Sequence, residues 1–178
     1  MKFTILTLFP EFFESPLRAG LMGKAVEAGL VSFDFIDIRD FGEGRHKTTD
    51  DYPFGGGAGM VMKAGPVVGA IESLRASDEK ARVILLTPQG RPFGQPDAKR
   101  LSALESVAFV CGRYEGFDER IRPFADEELS LGDFVLMGGE AAALAMADSI
   151  ARLVPGVLGD LASTEEESMS AGLLEYPQ

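Results

Sequence analysis

Short, continuous apolar runs alternate along the chain with segments whose apolar positions recur every three or four residues. FTILTLF (3–9), VILLTP (83–88) and VAFVCG (107–112) have the first pattern and read as buried strands. VSFDFIDI (31–38), where Phe33, Phe35, Ile36 and Ile38 are interleaved with polar residues, reads as a further strand. The second pattern covers EFFESPLRAGLMGKAVEAG (11–29), with Leu17, Leu21, Met22, Ala25 and Val26 at helical spacing and Gly29 as the stop. It recurs in VVGAIESLRAS after Pro66, in DAKRLSALE, and most clearly in EAAALAMADSIARLV (140–154), which Pro155 ends. ELSLGDFVLMGG (128–139) reads as a short strand or a strand-like loop. Strands that alternate with helices predict an α/β fold built on a parallel sheet. No repeat or low-complexity linker divides it, so one domain is expected.

Two features break this rhythm. From Asp40 to Met60 the chain runs DFGEGRHKTTDDYPFGGGAGM with no periodicity, and loops of that length in compact domains are usually functional or disordered. In addition, three strand ends carry glycine-containing loops: TPQGRPFG (87–94), CGRYEGFDER (111–120) and LMGGE (136–140). Ligands of open α/β sheets gather beyond the carboxyl ends of the strands, and glycines there let backbone come close to a ligand. These loops are therefore the candidate cofactor site. The ordinary dinucleotide fingerprint is absent, because the turn after the first strand, FPEFFESP, has no glycine. GGGAG (55–59) is followed by MVMK and so is no Walker loop; a flexible loop without a ligand is the better reading of it.

Composition narrows the setting. A chain of 178 residues with 46% hydrophobic content can bury a full core without disulfides or a structural metal. Its single cysteine, Cys111, lies in an apolar run and reads as a buried thiol in a reducing compartment; no Cys/His cluster has zinc spacing. The N-terminal run lacks a small-residue cleavage site and no segment is long enough to span a bilayer, so a cytoplasmic, non-membrane protein is expected. The net charge of −11 argues against a broad nucleic-acid surface, although GRHK (44–47) with Arg39, and the pair Arg120 and Arg122, are locally basic.

RHKTTDDYPFGGGAGMVMK, LTPQGRPF, CGRYEGFDERI, SLGDFVLMGGE and DSIARLVPGVLG, in this order, resemble the bacterial tRNA (guanine-N1)-methyltransferase family, TrmD, over essentially the whole chain. The resemblance implies a parallel-sheet SPOUT methyltransferase fold with a deep C-terminal trefoil knot, one of the rare exceptions to unknotted connections. It implies methyl transfer from S-adenosylmethionine to N1 of the guanine 3′-adjacent to the anticodon of tRNA, in a homodimer with its active site at the subunit interface. Pro88, Gln89, Gly112, Arg113, Tyr114, Gly116, Leu131, Gly132, Val135, Leu136, Gly138 and Gly139 would surround the cofactor, largely through backbone. Members of the family are reported to need magnesium, for which no site is evident in the sequence, so no metal ligand is assigned.

Guanine N1 carries a proton, so its methylation calls for a base to take that proton and a donor to stabilise charge building on O6. By resemblance the donor is Arg152. The base matches Glu167, where the family has aspartate; the extra methylene carries the carboxylate about an ångström further. Glu175 likewise stands where aspartate is expected, while Glu165 and Glu166 read as solvated charges. Glu115 would lie close to the target guanine, and His46, Asp50 and Gly59 would meet the substrate.

Plainer readings stand beside these. Arg152 follows Asp148 by four residues and could form a helix-surface ion pair. Glu115 could be a loop acid near Arg113 or Arg120, His46 a solvated side chain, and Asp50 and Asp51 loop caps or metal ligands. The predicted organisation is a knotted catalytic unit over 1–160 and a mobile interdomain segment over 161–178, with the family's C-terminal tRNA-binding domain absent from this chain. The competing function is a catalytically impaired regulatory module of the same fold, motivated by Glu167 and that missing domain.

Overall fold

The computed structural model describes residues 1–159, so Glu165, Glu166, Glu167 and Glu175 lie outside the described residues. In chain order these form β1 (Lys2–Thr7), α1 (Gly20–Glu27), β2 (Ser32–Asp37), the short strands β3 (Asp50–Asp51) and β4 (Val61–Met62), and α2 (Ala64–Ser77). β5 (Arg82–Pro92), α3 (Gln95–Ser102), β6 (Ser106–Cys111), β7 (Glu127–Ser130) and α4 (Gly139–Ala151) follow. Five strands make one parallel sheet in the order β2-β1-β6-β5-β7, and β3 and β4 pair antiparallel beside it.

Successive side chains of a strand point to opposite faces, and helices on both faces make both of them apolar. Ile84, Leu86, Val107, Phe109 and Cys111 therefore share one core with Met22, Ala98, Leu101 and the apolar stripe of α4. The intervening Val83, Leu85, Ala108 and Val110 share the other with Val67, Ile71 and Leu74 of α2. The parallel α/β arrangement matches the sequence expectation. So does Cys111, which is buried; burial, reinforced by the charge of Glu140, pushes its thiol well above the usual range.

Two elements differ from expectation. The helix read over 11–29 is realised only as α1, preceded by 3-10 turns at Pro10–Phe13 and Pro16–Arg18. Pro16 cannot sit inside a continuous helix, since it lacks the N–H and its ring strikes the preceding turn; Gly20, at φ 58°, makes the second break. Leu21 is consequently 56% exposed, whereas Met22 and Ala25 are buried. The second difference is β5, which does not stop at Pro88. Leu86 pairs with Leu129, residues 87–90 bulge out, and pairing with β7 resumes at Arg91 and Pro92.

The far end of β5 is held by a network of charges. The Arg91 guanidinium grips Asp97 with two hydrogen bonds, of 2.7 and 2.5 Å, and Arg100 and Arg82 donate to Glu127 at 2.8 and 3.1 Å. Hydrogen bonding from Arg91 lowers the Asp97 carboxyl below its ordinary 3.8. Burial pushes Glu127 up, but the hydrogen bonds from Arg100 and Arg82 outweigh it and leave it below 4.5. A carboxyl lowered in the folded state contributes stability above its unfolded pKa and loses it as pH falls through the folded value. Thermal stability should therefore be flat above about pH 4.5 in this respect and fall below it. Asp97→Asn is expected to lower Tm at neutral pH by about 4–8 °C, from the loss of about 2 kcal/mol of charge-assisted hydrogen bonding. The gap to wild type should narrow on acidification; a pH-independent gap would rule out this origin.

Candidate active site at the carboxyl ends of β5, β6 and β7

Beyond the ends of these strands lies one cavity of about 310 Å³, walled by residues 86–88, 112–117, 129–132 and 134–139 together with Ala142. Pro88, Gly112, Arg113, Tyr114, Gly116, Leu131, Gly132, Val135, Leu136, Gly138 and Gly139, expected at a cofactor, all line it. Gln89 does not. It is exposed on the bulge of β5, where its side-chain oxygen is engaged by Arg122 and its backbone N–H donates to Thr87 Oγ1 at 3.3 Å. Phe117 lines the cavity unforeseen, although it belongs to a loop that glycine had marked.

The long aperiodic loop comes back against this wall. The Glu115 N–H donates to the Met60 carbonyl at 2.9 Å, Met62 N–H to Gly116 at 2.8 Å, and Asp118 N–H to Met62 at 3.0 Å. These bonds bring Gly59 onto Glu115: a Cβ at Gly59 would fall 2.5 Å from Glu115 Cγ, and its φ of 92° favours glycine as well. Glu115 and Arg113 are the charged residues of the cavity lining. Neither arginine near Glu115 is paired with it: Arg113 pairs with Glu140 and Arg120 with Asp118.

His46 and Asp50 do not line the cavity. His46 is exposed in the turn closed by the Glu43–Thr48 bridge, and Asp50 lies half-buried in β3 opposite Met62. Asp51 accepts from the Tyr52 N–H at 2.8 Å, as a loop cap does. Among the described residues no three His, Cys, Asp or Glu side chains are grouped to hold a metal ion.

Gly138 and Gly139 also have a packing cause. A Cβ on Gly139 would lie 2.7 Å from Cys111 Cα and 2.9 Å from Gly112 N, and one on Gly138 would strike Arg113 Nε and Glu140 Oε2. Both glycines thus let α4 and its leading loop seat against the end of β6. A bulky side chain at 139 would displace α4 rather than protrude into the cavity.

Arg152 caps the other end of α4, half-buried, with its N–H bonded to the Asp148 carbonyl at 3.1 Å. At about 1.5 Å per residue, the rise of α4 puts it about 15 Å from Ala142, the residue of that helix nearest to it in the cavity lining.

The sequence model of the tRNA (Guanine-1)-methyltransferase TrmD family matches residues 1–178. The chain belongs to this family. It is 56% identical, over 100% of its length and 72% of the relative's, to the tRNA (guanine-N(1)-)-methyltransferase of Syntrophotalea carbinolica. To the protein of the same name from Desulfitobacterium hafniense it is 54% identical, over 99% of this chain and 67% of the relative. Its fold is similar to the crystal structure of tRNA (m1G37) methyltransferase from Aquifex aeolicus, with a TM-score of 0.83, 35% identity, and coverage of 99% of this chain and 80% of that one. The family match runs through Glu167, beyond the described residues. The relatives are named as methyltransferases, and nothing in them supports the impaired-module reading.

Proposed function

We infer that the protein is a tRNA (guanine-N1)-methyltransferase that uses S-adenosylmethionine and acts on the guanine 3′-adjacent to the anticodon, position 37. Family membership supports the activity, and one observation carries the site: the three loops at the ends of β5, β6 and β7 enclose a single cavity. Its walls are backbone and apolar side chains with Arg113 and Glu115 as the charged groups, which suits a ligand that joins an aromatic base to a thioether chain. S-adenosylmethionine, when bound, supplies an electrophilic methyl group to N1. Pro88 and the loops at Gly112–Gly116 and Leu131–Gly139 hold it in this reading, and Gln89 has no part in that contact.

The chain's own residues handle the proton and the charge. Glu167 takes the N1 proton, Arg152 donates to O6 as negative charge builds there, and Glu115 faces the guanine from the cavity wall. Because α4 separates Arg152 from its own chain's cavity by about 15 Å, Arg152 would serve the cavity of a second protomer in a homodimer. Apolar side chains at the cavity rim, Val135 and Met137 above all, are more than nine-tenths exposed, which favours a covered rim. The trefoil knot expected of the family is supported by family membership. Residues 1–159 would form that knotted unit, and Glu167 would supply the base. Cytoplasmic tRNA is its substrate.

The test is methyl transfer from methyl-labelled S-adenosylmethionine to a tRNA transcript with guanine at position 37. Label should appear on N1 of that guanine and vanish when adenine replaces it. Absence of label from a protein that binds the cofactor normally would overturn the assignment.

A further inference from the structure

Glu140, in the first turn of α4, is 1% exposed, yet it is a carboxylate. The hydroxyl of Thr7, at the end of β1, donates to its Oε1 at 2.7 Å, and Arg113 Nη2 lies 2.9 Å from its Oε2. The Arg113 guanidinium is centred 4.4 Å over the Phe9 ring, and its Nη1 donates to the Met137 carbonyl at 3.3 Å. One arginine side chain thus joins the loop after β6 to the loop after β7, the two principal walls of the cavity.

Packing does not account for an acid here. Ala142, Ala143, Met146, Ala147 and Ile150 provide the buried face of α4. Removing a carboxylate from water is costly unless a partner offsets it, and an apolar residue would fill the space without that cost. The neighbourhood is shaped around the pair, since Gly138 leaves no room for a Cβ beside Arg113 Nε and Glu140 Oε2. Those two atoms are buried without a hydrogen-bond partner among the described residues, so the contact is held by charge more than by directed bonds.

We propose that Glu140 is a positioning residue: through Arg113 it fixes the two cavity loops at the separation the cofactor requires. This rests on the reading of the cavity as the S-adenosylmethionine site. Glu140→Gln keeps the size and an acceptor for Thr7 but removes the charge opposite Arg113. By calorimetry its Kd for S-adenosylmethionine is expected to rise about ten-fold. Turnover at saturating cofactor should stay within about two-fold, because binding is lost without transition-state contacts. Arg113→Lys should weaken binding similarly, and the double variant should be no worse than the weaker single, since both break one link.

A merely structural role would lower Tm while the folded protein kept its affinity, and that result, or fully multiplicative effects in the double variant, overturns the proposal. If Glu140→Gln does not fold, Arg113→Lys decides, and wild-type affinity in it is equally fatal. Failure of wild-type protein to bind S-adenosylmethionine would sink the cavity assignment and this role together. Wild-type binding with unchanged Glu140→Gln affinity would sink the role alone.

Discussion

Replacing Glu167 with glutamine is expected to slow methyl transfer to guanine N1 by about 10²–10⁴-fold, the usual contribution of a positioned general base. Affinity for S-adenosylmethionine should stay within a few-fold, because the cavity is walled by residues 86–88, 112–117, 129–132 and 134–139, none of which is altered. Glutamine has nearly the shape of glutamate and can accept a hydrogen bond, but it cannot take up the N1 proton. Single-turnover transfer with the labelled cofactor separates this chemical step from binding. Two neighbouring carboxylates make the test sharp: full activity in Glu167→Gln would move the role to Glu165, Glu166 or elsewhere. The side chain here is longer than the family's aspartate, so the measurement also asks whether the surrounding chain accommodates an added methylene.

Legibility followed the range of the interactions. β6 was read at 107–112 and lies at Ser106–Cys111, because a strand buried on both faces is written as one continuous apolar run. The glycine loops at strand ends were legible for the same topological reason, and they converge on the cavity. The stretch at 11–29 misled because Leu17, Leu21 and Val26 satisfy helical spacing that Pro16 and Gly20 then interrupt locally. The bulge of β5 was hidden, since the resumption of pairing at Arg91 depends on where β7 lies. Gln89 was misplaced for that reason. Gly138 and Gly139 were identified correctly as special, but their neighbours, Arg113, Glu140 and Cys111, come from distant parts of the chain. Glu140 itself looks in sequence like an acid that favours a helix N-terminus; only the fold shows it buried against Arg113 and Thr7.

Arg152→Ala is expected to lower turnover by about 10²–10³-fold, the scale of losing one donor to a developing oxyanion. Cofactor affinity should change far less, and equal losses in both would mean a structural role at the end of α4. The length of that helix supplies a second, stricter test. If Arg152 acts on the partner's cavity while Glu115 acts on its own, Arg152→Ala and Glu115→Gln protomers should complement one another. Each mixed dimer then contains one site with both residues intact. Equal, random mixing makes about half the dimers mixed, so activity should recover to about a quarter of wild type, above that of either preparation alone where Glu115→Gln is itself impaired. If both residues instead served a single chain's cavity, every site in the mixture would lack one of them and no activity would return. Recovery would establish both that the protein works as a dimer and that α4 carries its arginine across the interface.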